Sequence, residues 1–166
     1  MTDHTKTAQA EVTPTLEEVV RRRADLYHAI LSLEAAAARP ATGREEDWVA
    51  GVIEALDEVE HEIADHIEIT ERREGLYDQI IDVAPRLGRN VQRLREEHPE
   101  MQEATSSLRA RLTTAPAGDA TGVAEARDEI QHLLGRLVKH RQRGADPSGR
   151  HTASTPAAPS ERRVIS

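Results

Sequence analysis

Three of the chain's eight histidines lie on the apolar sides of separate predicted helices. At about 100° per residue, His98 falls within roughly 40° of the centre of its apolar stripe, whereas His66 and His140 fall roughly 70° and 60° from theirs. His61 and His132 face away from the apolar stripes of two of these helices. Neutral imidazole is a common ligand of iron and zinc, so three inward histidines predict a metal site. The alternative is that each is a buried histidine held by hydrogen bonds.

Other polar residues point toward the same predicted layer. Thr70 and Glu71 lie closer to the centre of the stripe than His66 does, and Glu71 offers a carboxylate oxygen. Together with three imidazole nitrogens, it would complete a four-ligand site suited to zinc or to mononuclear iron. Arg23 falls in the middle of the first helix's stripe, where its charge would oppose a dication or pair with Glu71. The carboxylate of Glu97 is interpreted as facing solvent.

Apolar residues at helical spacing predict the elements that position these groups. The predicted helices span 14–39, 45–74, 87–112 and 123–143, with a shorter helical piece at 76–83. The apolar stripe of the first helix is predicted to consist of Leu16, Val19, Val20, Tyr27, Ile30 and Leu31.

Local signals set the predicted helix ends. Residues 15–18 and 42–45 match capping boxes, in which a threonine and a glutamate side chain bond free backbone amides at a helix start. Gly75 is expected to end the second helix in the left-handed conformation. Pro99 directly follows His98 and removes one backbone hydrogen bond, which predicts a kink in the third helix.

Four amphipathic helices joined by loops of a few to about ten residues predict an all-α, up-down-up-down four-helix bundle. In that topology the end of the second helix, the start of the third, the end of the fourth and the start of the first meet at one end. The three histidines are therefore expected in one layer. Residues 14–144 are assigned to the bundle, and the polar segments 1–13 and 145–166, which lack periodicity, are expected to be disordered.

Composition excludes several functional classes. The 166 residues carry a formal net charge of −8 and include no cysteine. Without a dense basic face, a nucleic-acid partner is not expected, and without cysteine there can be no thiolate metal site. No apolar run is long enough to span a membrane, and the first residues lack the apolar region of a secretory signal, so a cytoplasmic protein with no membrane partner is expected. Abundant arginine and alanine with only two lysines are typical of bacterial proteins from GC-rich genomes.

The chain resembles hemerythrin-like (HHE) domains over about residues 16–146. The resemblance rests on the string HIEITE at residues 66–71, on LREEH at residues 94–98 and on His140. Oxygen-carrying members of that family hold two irons inside an up-down four-helix bundle. Their ligands include His-x-x-x-Glu on the second helix and His-x-x-x-His on the third, a spacing that puts both side chains on one helix face. The resemblance therefore implies the same bundle, with a metal site that includes His66, His98 and His140.

Several ligand positions of that family carry other residues in this chain. Thr70 stands at the carboxylate position of the second helix, with Glu71 one residue later, and Leu94 stands at the first histidine position of the third helix. Arg23 aligns with the histidine of the first helix, and Gly144 occupies the carboxylate position of the fourth. A complete di-iron ligand set is therefore not expected. The metal ligands that remain are His66, His98, His140 and Glu71.

The expected function is that of a hemerythrin-like protein that binds iron, or alternatively zinc, and through it binds or senses a small molecule such as oxygen or nitric oxide. The alternative is a degenerate bundle without metal that serves as a structural or partner-interaction module. An enzymatic role is not expected, because the sequence contains no nucleophile–base pair, glycine-rich phosphate loop or metal-plus-base motif. Metal content distinguishes the first two functions.

Overall fold

Helices form nearly all of the chain that the structure describes. The computed structural model describes residues 16–114 and 120–145, and these residues contain no strand. The predicted all-α class is confirmed, and the segments predicted to be disordered lie outside the described residues, apart from Ala145, which closes the last helix. A single 3-10 turn spans Pro85–Leu87. The helices are α1 (Leu16–Ala38), α2 (Glu45–Glu71), α3 (Leu76–Val83), α4 (Gly88–Thr114) and α5 (Ala120–Ala145).

The four long helices α1, α2, α4 and α5 pack in chain order, and α5 returns to contact α1. Arg127, near the start of α5, donates to the Ala37 carbonyl at the end of α1 (3.1 Å). Arg23, near the start of α1, donates to the Gly144 carbonyl at the end of α5 (2.8 Å). These two helices are therefore antiparallel.

Ion pairs set the directions of the other long helices. Arg22, near the start of α1, pairs with Asp65, near the end of α2. Arg111, near the end of α4, pairs with Glu129 in the first half of α5 (2.8 Å). Each of these helix pairs is antiparallel, so α2 and α4 are antiparallel too, and the bundle has an up-and-down arrangement.

Aliphatic side chains build the core of the bundle. A second, smaller cluster joins α3 to α4 through Tyr77, Val91 and Leu94. Complete burial of one large aliphatic side chain stabilises the fold by roughly 1.5–3 kcal/mol, so this packing holds the four long helices together. The second cluster fixes α3 against one end of α4. The largest fully buried aliphatic residues of the main core are Leu26, Leu33, Leu56, Ile63, Met101, Ile130 and Leu137.

The buried face of α1 differs from the predicted stripe. Val19 and Ile30 are buried as expected, whereas Leu16 and Val20 are 79% and 58% exposed. The inward face instead relies on alanine, which lets a helix approach its neighbours closely and which the prediction did not weigh. The buried residues of α1 are Val19, Leu26, Ala29, Ile30, Leu33, Ala36 and Ala37. The large apolar residues of α1 left exposed are Leu16, Val20, Tyr27 and Leu31.

The connection from α2 to α3 is longer than predicted, because it spans residues 72–75. Helix α2 ends at Glu71, and the residue with positive φ is Glu74 (φ 58°), not Gly75 (φ −69°). Gly75 precedes the first residue of α3, and a Cβ atom there would lie 2.6 Å from the Arg72 carbonyl oxygen. Glycine is therefore needed at this position for space and not for the left-handed conformation.

The start of the second helix differs from the prediction. At the start of α2, Arg44 occupies the capping position without a side-chain bond, and the Glu45 carboxylate accepts from the Gly43 amide at 3.0 Å, so the predicted threonine cap is wrong. The earlier capping box includes Thr15, which lies outside the described residues. Helix α4 continues through Pro99 as one element. In the described ranges, no helix combines the length and apolar character that crossing a membrane requires.

Candidate metal centre

Three buried imidazoles meet between the long helices, as predicted. His66 on α2, His98 on α4 and His140 on α5 are only 8%, 1% and 3% exposed. One ring nitrogen from each lies within 4.8 Å of the other two. The ring centroids of His98 and His140 are 4.9 Å apart, and the centroid of His66 is 5.3 Å from each. This is the spacing of side chains that can share one metal ion.

Carboxylates behind two of the rings set their orientation. Nδ1 of His98 contacts the Glu71 carboxylate, and Nδ1 of His140 lies 2.9 Å from Oε2 of Glu97. The other oxygen of Glu97 pairs with Arg143. Because each Nδ1–H donates outward to a carboxylate, the Nε2 lone pairs of His98 and His140 are free to face the space between the rings. Metal-binding histidines are commonly supported in this way.

The rings of His66, His98 and His140 form a triangle, to which His66 contributes its Nε2 atom. This atom lies 3.1 Å from Nε2 of His140. Since His140 donates through Nδ1, its Nε2 is an acceptor, and His66 must donate its Nε2–H in the protein without metal. A metal ion in this position would replace that proton.

Burial keeps these imidazoles neutral. It is the main cause that lowers the pKa of His66 from 6.5 to about 3, with further lowering from the neighbouring histidines and Arg23. Burial is also the main cause that lowers the pKa of His140 to about 4, and the charge of Arg23 lowers it further. Burial also lowers the pKa of His98, although the hydrogen bond to Glu71 opposes this shift. Neutral imidazoles can donate nitrogen lone pairs to a metal at neutral pH.

The structure places the other predicted site residues around this triangle. Glu71 lies behind His98, on its Nδ1 side, and does not belong to the group of mutually close ligand atoms. The Thr70 hydroxyl donates to the His66 carbonyl of its own helix (2.7 Å), which satisfies it within α2. Leu94 packs in the apolar cluster beside Tyr77. None of these three side chains supplies a ligand atom to the triangle.

Arg23 lies beside the histidines, as its position in the sequence suggested. Its guanidinium donates to the carbonyl of Gly144 at 2.8 Å and so caps the end of α5, instead of pairing with Glu71. Its charge nevertheless reaches the site, because it contributes to the lowered pKa values of His66 and His140.

Two residues of the site were not predicted from the sequence. Glu97 is largely buried against His140 and Arg143, although it was predicted to face solvent. Tyr77 is 3% exposed, and its hydroxyl lies 3.5 Å from Nε2 of His98. Burial raises the pKa of the Tyr77 phenol above its ordinary value. The sequence held one signal for the role of Tyr77. It is one of only two tyrosines in the chain, and it lies two positions after Gly75.

A small cavity adjoins the triangle between α1, α2, α3 and α5. Its volume is about 20 Å³, slightly more than the roughly 10–15 Å³ that one water molecule requires. It leaves room for one small ligand beside the imidazoles. The residues that line it are Arg23, Leu26, His66, Thr70, Tyr77, His140, Arg141 and Gly144.

Comparisons with protein-family models, with curated proteins and with solved structures find no match for this chain. The resemblance to hemerythrin-like domains therefore rests on the sequence at residues 66–71 and 94–98 and on His140.

Proposed function

We propose that this protein binds one metal ion, iron or zinc, inside the bundle through His66, His98 and His140. The bound metal would take up a small molecule such as oxygen or nitric oxide, as in a hemerythrin-like domain with a reduced ligand set. The observation that carries the proposal is the convergence of three buried imidazole nitrogens within 4.8 Å of one another.

The surroundings of the imidazoles support metal binding. Three neutral nitrogen ligands leave at least one coordination position for another group, which is the arrangement of metal sites that bind or activate small molecules. The carboxylates of Glu71 and Glu97 would offset the metal's positive charge without binding it directly. In this proposal Glu71, predicted as a ligand, acts instead as the partner that orients His98.

A single ion fits the described residues better than two. The positions that would supply further ligands in the family pattern carry Thr70, Leu94 and Arg23. The first is bonded within its own helix, the second packs in an apolar cluster, and the third carries a positive charge. Each of these three residues stands where the family pattern has a ligand, so a second iron would lack those ligands.

A second function, a bundle without metal that serves as a structural or partner-interaction module, is favoured by two observations. His66 and His140 satisfy one another at 3.1 Å, so the buried imidazoles do not require an ion. Helix α1 also leaves a row of large apolar side chains exposed, which a partner could cover. These residues are Leu16, Val20, Tyr27 and Leu31.

Metal analysis of the whole protein, purified without a histidine tag, tests the proposal. We expect close to one iron or zinc per chain, and loss of that metal from His66→Ala, His98→Ala and His140→Ala. His61→Ala and His132→Ala are matched controls because both side chains are exposed on the same helices, and they should retain the metal. Metal retained in all three site variants, or no metal in the folded parent protein, would overturn the proposal in favour of the second function.

A further inference from the structure

Tyr77 brings a buried hydroxyl to the histidine triangle from a separate element, α3. Its oxygen lies 3.5 Å from Nε2 of His98. The same residue lines the cavity of about 20 Å³ together with His66 and His140. Tyr77 therefore adjoins all three histidines, and its ring is held in place by packing against Val91 and Leu94.

Two of the distances at the site are close to an edge of a tetrahedral coordination polyhedron. Two ligand atoms that each lie about 2.0–2.1 Å from a tetrahedral metal are about 3.3–3.4 Å apart. The measured separations are 3.1 Å between His66 and His140 and 3.5 Å between Tyr77 and His98, on either side of that value. Small side-chain movements would bring these two pairs of atoms to one ion, and the three imidazole nitrogens, which lie within 4.8 Å of one another, would have to move closer together.

We propose that Tyr77 is the fourth protein ligand and completes a site of three histidines and one phenolate that is selective for ferric iron. This inference rests on the proposed function. A phenolate is a hard, anionic oxygen ligand and prefers a highly charged metal ion, whereas three imidazoles alone would serve zinc equally well.

Binding of ferric iron at this site would displace protons and would place a triply charged ion among charged side chains. On binding of ferric iron, the O–H bond of Tyr77 would be replaced by an oxygen–iron bond and its proton would leave to solvent. The Nε2 proton of His66 would move to Nδ1 of the same neutral ring, and no electron would be transferred. The phenolate and Glu71 would place two negative charges near the triply charged ion, and Glu97 would add a third that Arg143 partly offsets. A bound small molecule would occupy a fifth position through the adjoining cavity, whose size restricts it to water or a diatomic molecule.

The visible spectrum of the iron-loaded protein tests this inference. Ferric iron, supplied as its citrate complex to the whole chain, should give a phenolate-to-iron charge-transfer band. Tyr77→Phe should abolish the band and weaken ferric binding by roughly 100-fold or more, because even outer partners of metal ligands are worth about 10–100-fold. Tyr27→Phe is the matched control, since Tyr27 is the only other tyrosine and its ring lies on the surface under Arg141.

Resonance Raman spectra of the unmodified protein, excited within the band, provide a measurement that does not depend on folding of the variant. They should show phenolate vibrations. A ferric protein without the band, or a band that survives in Tyr77→Phe, would overturn the role of Tyr77 while leaving the three-histidine site intact. Failure of the parent protein to bind iron or zinc would overturn both the ligand assignment and the proposed function.

Discussion

Nε2 of His66 and Nε2 of His140 lie 3.1 Å apart, although 74 positions separate the two residues in the chain. The same separation suits a hydrogen bond between neutral rings and two ligands on one metal ion. If the proposed metal binds here, the bundle already holds both imidazoles close to the positions that it requires. Binding would then need a change of proton position in His66 more than a change of backbone, so little ordering cost should accompany it.

The carboxylates behind the histidines should control metal affinity. Glu71→Gln and Glu97→Gln each keep an oxygen that can accept from Nδ1 of the adjacent histidine but remove its negative charge. We expect each change to weaken metal binding by roughly 10–100-fold, because outer partners raise the basicity of the imidazole and fix its orientation. Competition with a coloured chelator measures the affinity.

Glu96→Gln is the matched control for these two variants. Glu96 lies next to Glu97 on α4, but its carboxylate is exposed and contacts only its helix neighbour Gln92 among the contacts of the described chain. The affinity should be unchanged in this variant. Equal weakening in all three variants would mean that net charge, and not orientation of the histidines, determines the effect.

Much of this arrangement could be predicted from sequence because its periodicity is regular. The i, i+3 and i+4 spacing of apolar residues located the long helices, and the angular positions of His66, His98 and His140 placed them inward. In an up-and-down bundle, distance from the helix end then sets depth, which brought three residues from distant segments to one layer. Each of these inferences depends on only one helix and its ends.

The parts that were missed depend on contacts between elements. Glu97 belongs to the polar side of α4 by angle, yet it reaches across to His140 and Arg143 on α5. Tyr77 reaches the site because the turn at Glu74 and Gly75 folds α3 back against α4. The buried side of α1 was misassigned because only the large apolar residues were used to locate its apolar stripe. Alanine was left out, although it packs closely between helices. Periodicity of a single helix contains none of this information.

Stability of the protein without metal should fall as the pH decreases from 6.5. The folded-state pKa values of His66 and His140 are lowered to about 3 and about 4, whereas the unfolded chain protonates these residues near pH 6.5. Below pH 6.5 the unfolded state therefore binds more protons, and each histidine costs about 1.4 kcal/mol of stability per pH unit. Above pH 6.5 this contribution to stability is fully present.

Urea unfolding of the chelator-treated protein between pH 6.5 and pH 5 measures the pH slope of stability. His140→Gln cannot take up a proton, so its slope should be smaller by about 1.4 kcal/mol per pH unit. His132→Gln is the control, because His132 is exposed. An unchanged slope in His140→Gln would show that this imidazole is protonated in the folded state.

Gly75→Ala should destabilise the fold and disturb the site through Tyr77. An added Cβ would lie 2.6 Å from the Arg72 carbonyl oxygen and 3.0 Å from that of Thr70, and both are backbone atoms that cannot swing aside. We expect a loss of roughly 1–3 kcal/mol and weaker metal binding. Gly135→Ala is the opposite case, because nothing lies within 4 Å of the added atom and α5 should gain up to about 1 kcal/mol. Thermal unfolding of both variants tests this, and a shift of the same sign in both would contradict it.

Arg23→Gln should change stability and metal affinity in opposite directions. Loss of the hydrogen bond to the Gly144 carbonyl should cost about 1 kcal/mol of unfolding free energy. Removal of a positive charge beside His66 and His140 should raise the affinity for a divalent ion several-fold, because charges of like sign repel strongly in a partly buried site. Zinc titration and urea unfolding of the same preparation measure the two effects.

Arg22→Gln separates the local charge of Arg23 from the net charge of the protein. Arg22 is the preceding residue on α1 and pairs with Asp65 on α2. Its loss changes the net charge by the same amount, but should leave zinc affinity within about twofold, since its charge is partly solvated and already paired with Asp65. If both arginine variants raise zinc affinity equally, the effect comes from net charge and the metal does not lie beside Arg23. If only Arg23→Gln does so, the metal lies within reach of Arg23, as a site formed by His66 and His140 requires.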